Sequence, residues 1–281
     1  MPGREYARSI RDFWDRPIES ETTKIVENSY RATILAFLNE WSLFAERNGV
    51  DLVKVINAVK VRPTHDNIIF PGPGIGGYCL PKDGGLGYWA YKHILGFEDQ
   101  EQLFRITPAA IDINDTRGLH VAELARDALR NMGRYIAGAE VLLCGASYRE
   151  DVGDTRYSGS ELVVRKLTEM GADVRVHDPY VEHWYELESQ KDYPAPGHSW
   201  SRFFRNQEGL SEIRVQQDLQ KALAGVAGRP LAIVDCFGIL TDDRIRRYFE
   251  LGCEVKALGR GHIQRIKEEV RAAKAGKTAQ V

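Results

Sequence analysis

Cys79 follows four glycines, at positions 72, 74, 76 and 77, and precedes Lys82 and Asp83 in the run FPGPGIGGYCLPKDGG. Those residue types at that spacing suit a presented thiol. Glycines leave room for backbone N–H groups to approach a ligand and permit positive φ angles. A neighbouring cation favours the thiolate, and a carboxylate four residues on can position or activate a water for a later hydrolytic step. A small buried cysteine in a tight turn is the competing reading of the same residues.

Gly72, Gly74 and Gly77 also spell G-x-G-x-x-G. A dinucleotide fingerprint must leave an apolar strand, open a helix and meet an acidic residue about 20 positions later. The upstream VRPTHDNIIF is too polar for a central strand, Pro71 and Pro73 interrupt the loop, and Pro81 delays the next helix to about GLGYWAYKHIL. The motif therefore reads as a cysteine-bearing loop rather than a dinucleotide one, with a presented thiol and a structural cysteine both still open. Cys144 and Cys236 sit in apolar runs, Cys253 lies apart, and no histidine stands at metal-ligand spacing from any of the four cysteines. Disulfides and a structural metal are not expected.

The elements that must position this loop are mostly helical. From Glu21 to about Asn48, apolar residues recur in steps of one, three and four (Ile25, Val26, Tyr30, Ile34, Phe37, Leu38, Trp41, Phe44), which predicts one long helix. Its length suggests a spine or a dimer interface. Lys24 and Asn28, four apart, share one face of it. Asp51 caps a second helix, LVKVINAVKV, that leads into the loop. A helix through GYWAYKHILG and another from about Pro108 to Met132 complete a helical region over residues 1–135.

Beyond Gly133 the pattern changes to strand, helix, strand: AEVLLCGASYRE, SGSELVVRKLTEMG and ADVRVHDP, with Asp178 ending the second strand. PLAIVDCFGIL and CEVKALG add buried strands around the helical TDDRIRRYFELG. The fold class is α/β, a mostly helical region followed by a Rossmann-like parallel-sheet domain over 136–281. Residues 181–212 read as an irregular insertion or lid, and the tail from Ala272 as frayed. With 38 basic and 40 acidic side chains and no long basic or apolar run, neither nucleic acid nor membrane is an expected partner. The amino terminus lacks a signal-peptide core, so a cytoplasmic location is expected.

Four segments in order, TKIVENSYRATILAFLNE, GPGIGGYCLPKDGG, GASYREDVGDTRYS and GADVRVHDPYV, resemble the UDP-glucose/GDP-mannose dehydrogenase family. The resemblance implies a two-step, NAD-dependent oxidation of a nucleotide sugar's C6 alcohol to a carboxylate through a thiohemiacetal and thioester on Cys79. It assigns Lys24 and Asn28 to the oxyanion and Asp83 to the water that attacks the thioester. Gly74, Gly76 and Gly77 would hold the sugar and diphosphate, Arg149 and Arg156 the nucleotide side, and Arg62 the neighbouring subunit's site. Lys82 would face the cofactor. A homodimer through helix 21–48 is expected. Two departures stand out. The family's amino-terminal NAD-binding domain has no counterpart in the chain, and a strand and helix are missing near LAGVAGRPLAIVD. A non-redox nucleotide-sugar-binding or regulatory protein is the alternative these departures leave open.

Overall fold

The computed structural model describes residues 16–96, 104–188, 210, 213–224 and 228–278. The amino-terminal run before Arg16 and most of the expected 181–212 insertion lie outside them. Among the described residues no helix is long and apolar enough to cross a membrane.

Helix α1 (Pro17–Arg47) begins four residues before the sequence expectation. Pro17 explains the difference, because its fixed φ and missing N–H suit a first helical turn. The Glu19 carboxylate then accepts the Arg16 N–H at 3.0 Å. The helix spans about 46 Å at 1.5 Å per residue and ends before Gly49, whose φ is +69°. Its buried face is made of small and polar residues, Ala32, Ala36, Asn39, Ser42 and Ala45 among them, with Leu38. Most of the large apolar stripe faces outward instead.

Helix α2 (Leu52–Val59) is capped by Asp51, whose Oδ1 accepts the Val53 N–H at 3.1 Å. A 3-10 turn (Pro63–His65) and the glycine loop follow, then α3 (Asp83–His93) and α4 (Ile106–Asn131). Buried amides fix α1 on α4: Asn39 Nδ2 donates to Asn114 Oδ1 at 3.1 Å, and Asn114 Nδ2 donates to the Ala32 carbonyl at 2.9 Å. Arg117 on α4 donates to Ser42 Oγ. Such networks are strong only when their members are satisfied, so the small residues between them set the helix spacing.

Strand β1 (Glu140–Cys144), helix α5 (Gly159–Glu169) and strand β2 (Asp173–His177) form the expected βαβ unit. β1 pairs in parallel with β2 from Glu140↔Asp173 to Cys144↔His177. A short helix α6 (Tyr185–Glu188) precedes β3 (Val215–Gln216), which adds in parallel to β2. After α7 (Leu219–Ala222) come β4 (Ala232–Asp235), α8 (Asp242–Glu250), β5 (Glu254–Ala257) and α9 (Ile263–Thr278). β4 and β5 pair in parallel. The single sheet expected from sequence is thus two ladders, β1-β2-β3 and β4-β5, with no pairing of β1 to β4. They still share a core, since Val234 packs on the cluster formed by Val174, Val176, Val164 and Trp184.

The carboxyl-terminal tail is also a correction. Ala272 lies inside α9, which continues to Thr278. Lys274 anchors it by donating to the carbonyls of Phe249 and Glu250 at 3.2 and 2.8 Å.

The turn after β5 joins the two halves of the chain. Leu52 N–H donates to the Gly259 carbonyl at 2.9 Å, and Gly261 N–H to the Val50 carbonyl at 2.8 Å. Gly259 N–H donates to Glu46 Oε1 at 2.8 Å. Arg260 reaches Asp242 at 2.8 Å, and His262 reaches the same carboxylate at 2.9 Å.

Candidate active site

Glycines on α3 bring the acid to the amide. A Cβ on Gly84 would lie 2.6 Å from Thr107 Cγ2 and 3.0 Å from Ser29 Oγ, and one on Gly87 would lie 3.1 Å from Ile25 Cγ2. Without them α3 seats closely on α1 and α4. Asp83, the first residue of α3, is thereby buried beside Asn28 on α1, whose Nδ2 donates to Asp83 Oδ2 at 2.7 Å. The other oxygen accepts from Lys82 Nζ at 3.1 Å.

Cys79 precedes this pair by one helical turn. Its carbonyl accepts the N–H groups of Lys82 and Asp83 at 3.2 and 2.9 Å, which coils the chain from the thiol to the acid. Cys79 is half-buried, whereas Asn28 and Asp83 are buried. Lys24 lies one turn before Asn28 on α1 with an exposed side chain. The structure thus brings Asn28, Asp83 and Lys82 into contact, with Cys79 and Lys24 one turn away on either element.

The loop carrying the thiol leans on the sheet half. Gly77 N–H donates to the Arg156 carbonyl at 2.9 Å. A Cβ on Gly76 would fall 2.1 Å from Tyr148 Cβ and 3.0 Å from the Tyr157 carbonyl, and one on Gly77 would fall 3.1 Å from the Tyr148 ring. Gly77 also has φ +87°, a left-handed value that favours glycine. Gly74 lies with Pro73 and Ile75 against Asn114, Tyr157 and Ser158. These glycines are therefore required by packing against the residues after β1, whatever else approaches them.

Tyr78 is a contributor that residue types alone did not single out. Lys82 Nζ stands 4.4 Å from its ring centroid and the Arg156 guanidinium 5.3 Å, so the ring is held between two cations. Its position beside Cys79 and four before Lys82 was the available signal. Arg156 is also forked onto Asp154 at 2.9 and 2.6 Å, which holds its guanidinium charged and Asp154 below the usual carboxylate range. Loss of solvent is the largest single influence on Lys82 and acts downward, but the hydrogen bond and charge of Asp83, together with Tyr78 and Cys79 nearby, hold the ammonium above its ordinary value. Arg149 is exposed at the end of the same loop, and Arg62 is exposed on the 3-10 turn before the thiol loop. Among the described residues, neither forms a hydrogen bond or ion pair with Asn28 or Asp83.

Elsewhere, burial together with the Asp235 carboxylate pushes the Cys236 thiol up to about 12, and burial raises Cys144 as well. Both remain thiols at neutral pH, which leaves them poor nucleophiles. Burial likewise pushes Glu161, on α5, up to about 7 against the attraction of Arg165. Asp51, Asp242 and His262 offer ligand atoms within 4.8 Å of one another. Lys54 and Arg260 already stand against both carboxylates, at 3.3 and 2.8 Å from Asp242 and 3.8 and 4.0 Å from Asp51. Arg260 also lies 3.8 Å from Asp235, so two cations stand among three carboxylates there.

A cofactor groove is harder to build from these residues. In a dinucleotide crevice the acid ending β2 would take a ribose. Here Asp178 Oδ2 accepts the N–H groups of Ala146 and Ser147 at 2.9 and 3.0 Å, and Oδ1 accepts that of Tyr180. The described residues do not fit NAD at that position.

Two family models match the chain: the UDP-glucose/GDP-mannose dehydrogenase family central domain over residues 18–116, and the family's UDP binding domain over 142–241. The UDP-N-acetyl-D-mannosamine dehydrogenase of Methanococcus maripaludis is 32% identical over 167 residues, 59% of this chain and 36% of that protein. The UDP-N-acetyl-D-glucosamine 6-dehydrogenase of Pseudomonas aeruginosa is 30% identical over 164 residues, 58% of this chain and 36% of its own. The matches thus span little more than a third of those curated relatives. In fold, the chain is similar to the NDP-N-acetyl-D-galactosaminuronic acid dehydrogenase of Methanosarcina mazei Go1, with a TM-score of 0.66 at 24% identity over 88% of this chain and 52% of that one. With both family domains matched in order, on either side of the Tyr148 contact with the thiol loop, the chain belongs to the UDP-glucose/GDP-mannose dehydrogenase family.

Proposed function

We propose that this chain holds a UDP-sugar between its helical and sheet halves and presents Cys79 to the sugar's C6 in an NAD-dependent oxidation of the alcohol to a carboxylate. The observation that carries the proposal is the buried Asn28 and Asp83 contact, one helical turn from Cys79. In this reading the Cys79 sulfur adds to C6 at the aldehyde level, and the Lys24 ammonium and the Asn28 amide donate to the resulting oxyanion. Asp83 directs the water that cleaves the later thioester. Gly74, Gly76 and Gly77 line the sugar and diphosphate, and Arg149 and Arg156 supply positive charge on the nucleotide side. Arg62 serves a second subunit.

NAD supplies the hydride acceptor in such an oxidation. Asp178 and Lys82 are both engaged within the protein, so the cofactor's groove would come from outside the described residues of this chain. Calorimetric titration with UDP-N-acetylmannosamine, UDP-glucose, GDP-mannose and NAD tests the reading. One UDP-sugar is expected to bind while NAD alone does not. Failure of every nucleotide sugar to bind would remove the proposal.

The outward face of α1 supports a homodimer. Val26, Tyr30, Phe37, Trp41 and Phe44 are each between 46 and 59% exposed, at steps that keep them on one stripe, and the last three stack edge to face at 6.2 and 5.4 Å. Such a contiguous apolar surface marks an interaction site. Sedimentation equilibrium should give a dimer that Trp41→Glu converts to a monomer. A monomeric parent chain would exclude this use of α1.

A further inference from the structure

A cavity of about 390 Å³ opens where α4 and α8 end and β5 begins, with one wall from α9. That size suits a small-molecule site. Met132, Phe249 and Val270 make part of its lining apolar, while Arg134, Lys267, Arg271 and Lys274 bring four cations against the single carboxylate of Glu254.

Most of that charge has an internal use. Lys267 Nζ lies 2.7 Å from both Glu254 oxygens, and Asn131 Nδ2 donates to one of them at 2.8 Å. Lys274 donates to the last carbonyls of α8, acceptors that a helix end leaves unmet. Arg134 and Arg271 have no side-chain hydrogen-bond or ion-pair partner among the described residues. Both are exposed, so two guanidiniums beside an apolar wall are left free to meet an anion.

We propose that this cavity binds a small organic phosphate, its oxygens forked by Arg134 and Arg271 and its organic part laid on Phe249 and Val270. A planar guanidinium matches phosphate oxygens two at a time, and a dianion balances two of them where a monocarboxylate leaves one uncompensated. The cavity lies at the amino end of β5. The thiol loop instead meets the turn after the carboxyl end of β4, where a Cβ on Gly72 would lie 3.7 Å from the Phe237 ring. The two places can be filled at once.

The test is calorimetric titration of the whole chain with phenyl phosphate, in which variants of the cavity distinguish it from any nucleotide site. The parent chain should bind one equivalent that these variants assign to the cavity. Arg134→Ala/Arg271→Ala should weaken that binding at least tenfold, whereas Arg244→Ala/Arg247→Ala, exposed on α8, should leave it unchanged. Arg271→Lys, which keeps the charge and loses the fork, should fall between. Absence of binding to the parent chain, or equal affinity in the Arg134 and Arg271 variant with an unchanged thermal midpoint, overturns the site. Benzoate binding as tightly as phenyl phosphate overturns the assignment to phosphates. None of these outcomes depends on whether the chain oxidises a sugar.

Discussion

Cys79→Ala should abolish covalent capture of a UDP-sugar carrying a C6 aldehyde, while leaving its reversible binding within about threefold of the parent chain. The sulfur–carbon bond forms as the thiol adds across the aldehyde and its proton passes to the oxygen, so no oxidant is required. A probe enriched in carbon-13 at C6 reports the thiohemiacetal directly by NMR. In an assembled, NAD-supplied enzyme the same substitution should reduce turnover on the order of a thousandfold or more, because no other group can form the thioester. Cys236 offers no substitute, since burial and the Asp235 carboxylate hold its thiol protonated, and Cys144 stands exposed at the end of β1, outside the glycine loop. A thiohemiacetal signal persisting in Cys79→Ala would move the chemistry elsewhere.

Gly261→Ala should be the most destabilising single methyl in the joint between the halves. The added Cβ would stand 2.0 Å from the Ala45 carbonyl oxygen and 2.9 Å from that of Glu46. Both are backbone atoms of α1, so no side chain can rotate away. Overpacking of this kind costs about 3 kcal/mol, and relief requires Gly261 to give up its hydrogen bond to Val50. The measurement is the urea midpoint of Gly261→Ala beside that of Gly276→Ala on α9, where a Cβ meets nothing within 4 Å. Equal midpoints would mean that the turn after β5 is not clamped on α1.

Much of this arrangement was readable because local chemistry and global packing agree. Asp51 caps a helix, β1 is an apolar run and β2 an alternating one, and Cys79 stands in a glycine loop, each by its own residue types. That Asn28 and Asp83 belong to one site came only from resemblance, and their contact was not foreseen, as 55 positions separate them and no period links a helix face to a distant loop. The inward face of α1 was not legible in the sequence for a physical reason. Hydrophobic periodicity finds the large side chains, yet α1 and α4 pack through alanines and bonded asparagines, which leaves the aromatics outside. The tail from Ala272 read as frayed because its anchor, Lys274 on the carbonyls of α8, depends on a tertiary contact. The break between β1 and β4 has no sequence signature at all, since both strands carry the apolar residues of buried strands.

The seat of Gly76 against Tyr148 bears on how the chain can be divided. The change from helices to strands near residue 135 looks like a seam, and the two family matches fall to either side of it. The thiol loop belongs to one side by sequence, but its mould belongs to the other. A helical fragment produced alone would keep every residue assigned to bond making and lose the surface that shapes the loop around Cys79. Exchanging sheet halves among relatives would therefore also reshape the loop around Cys79, unless Tyr148 and the glycines travel together.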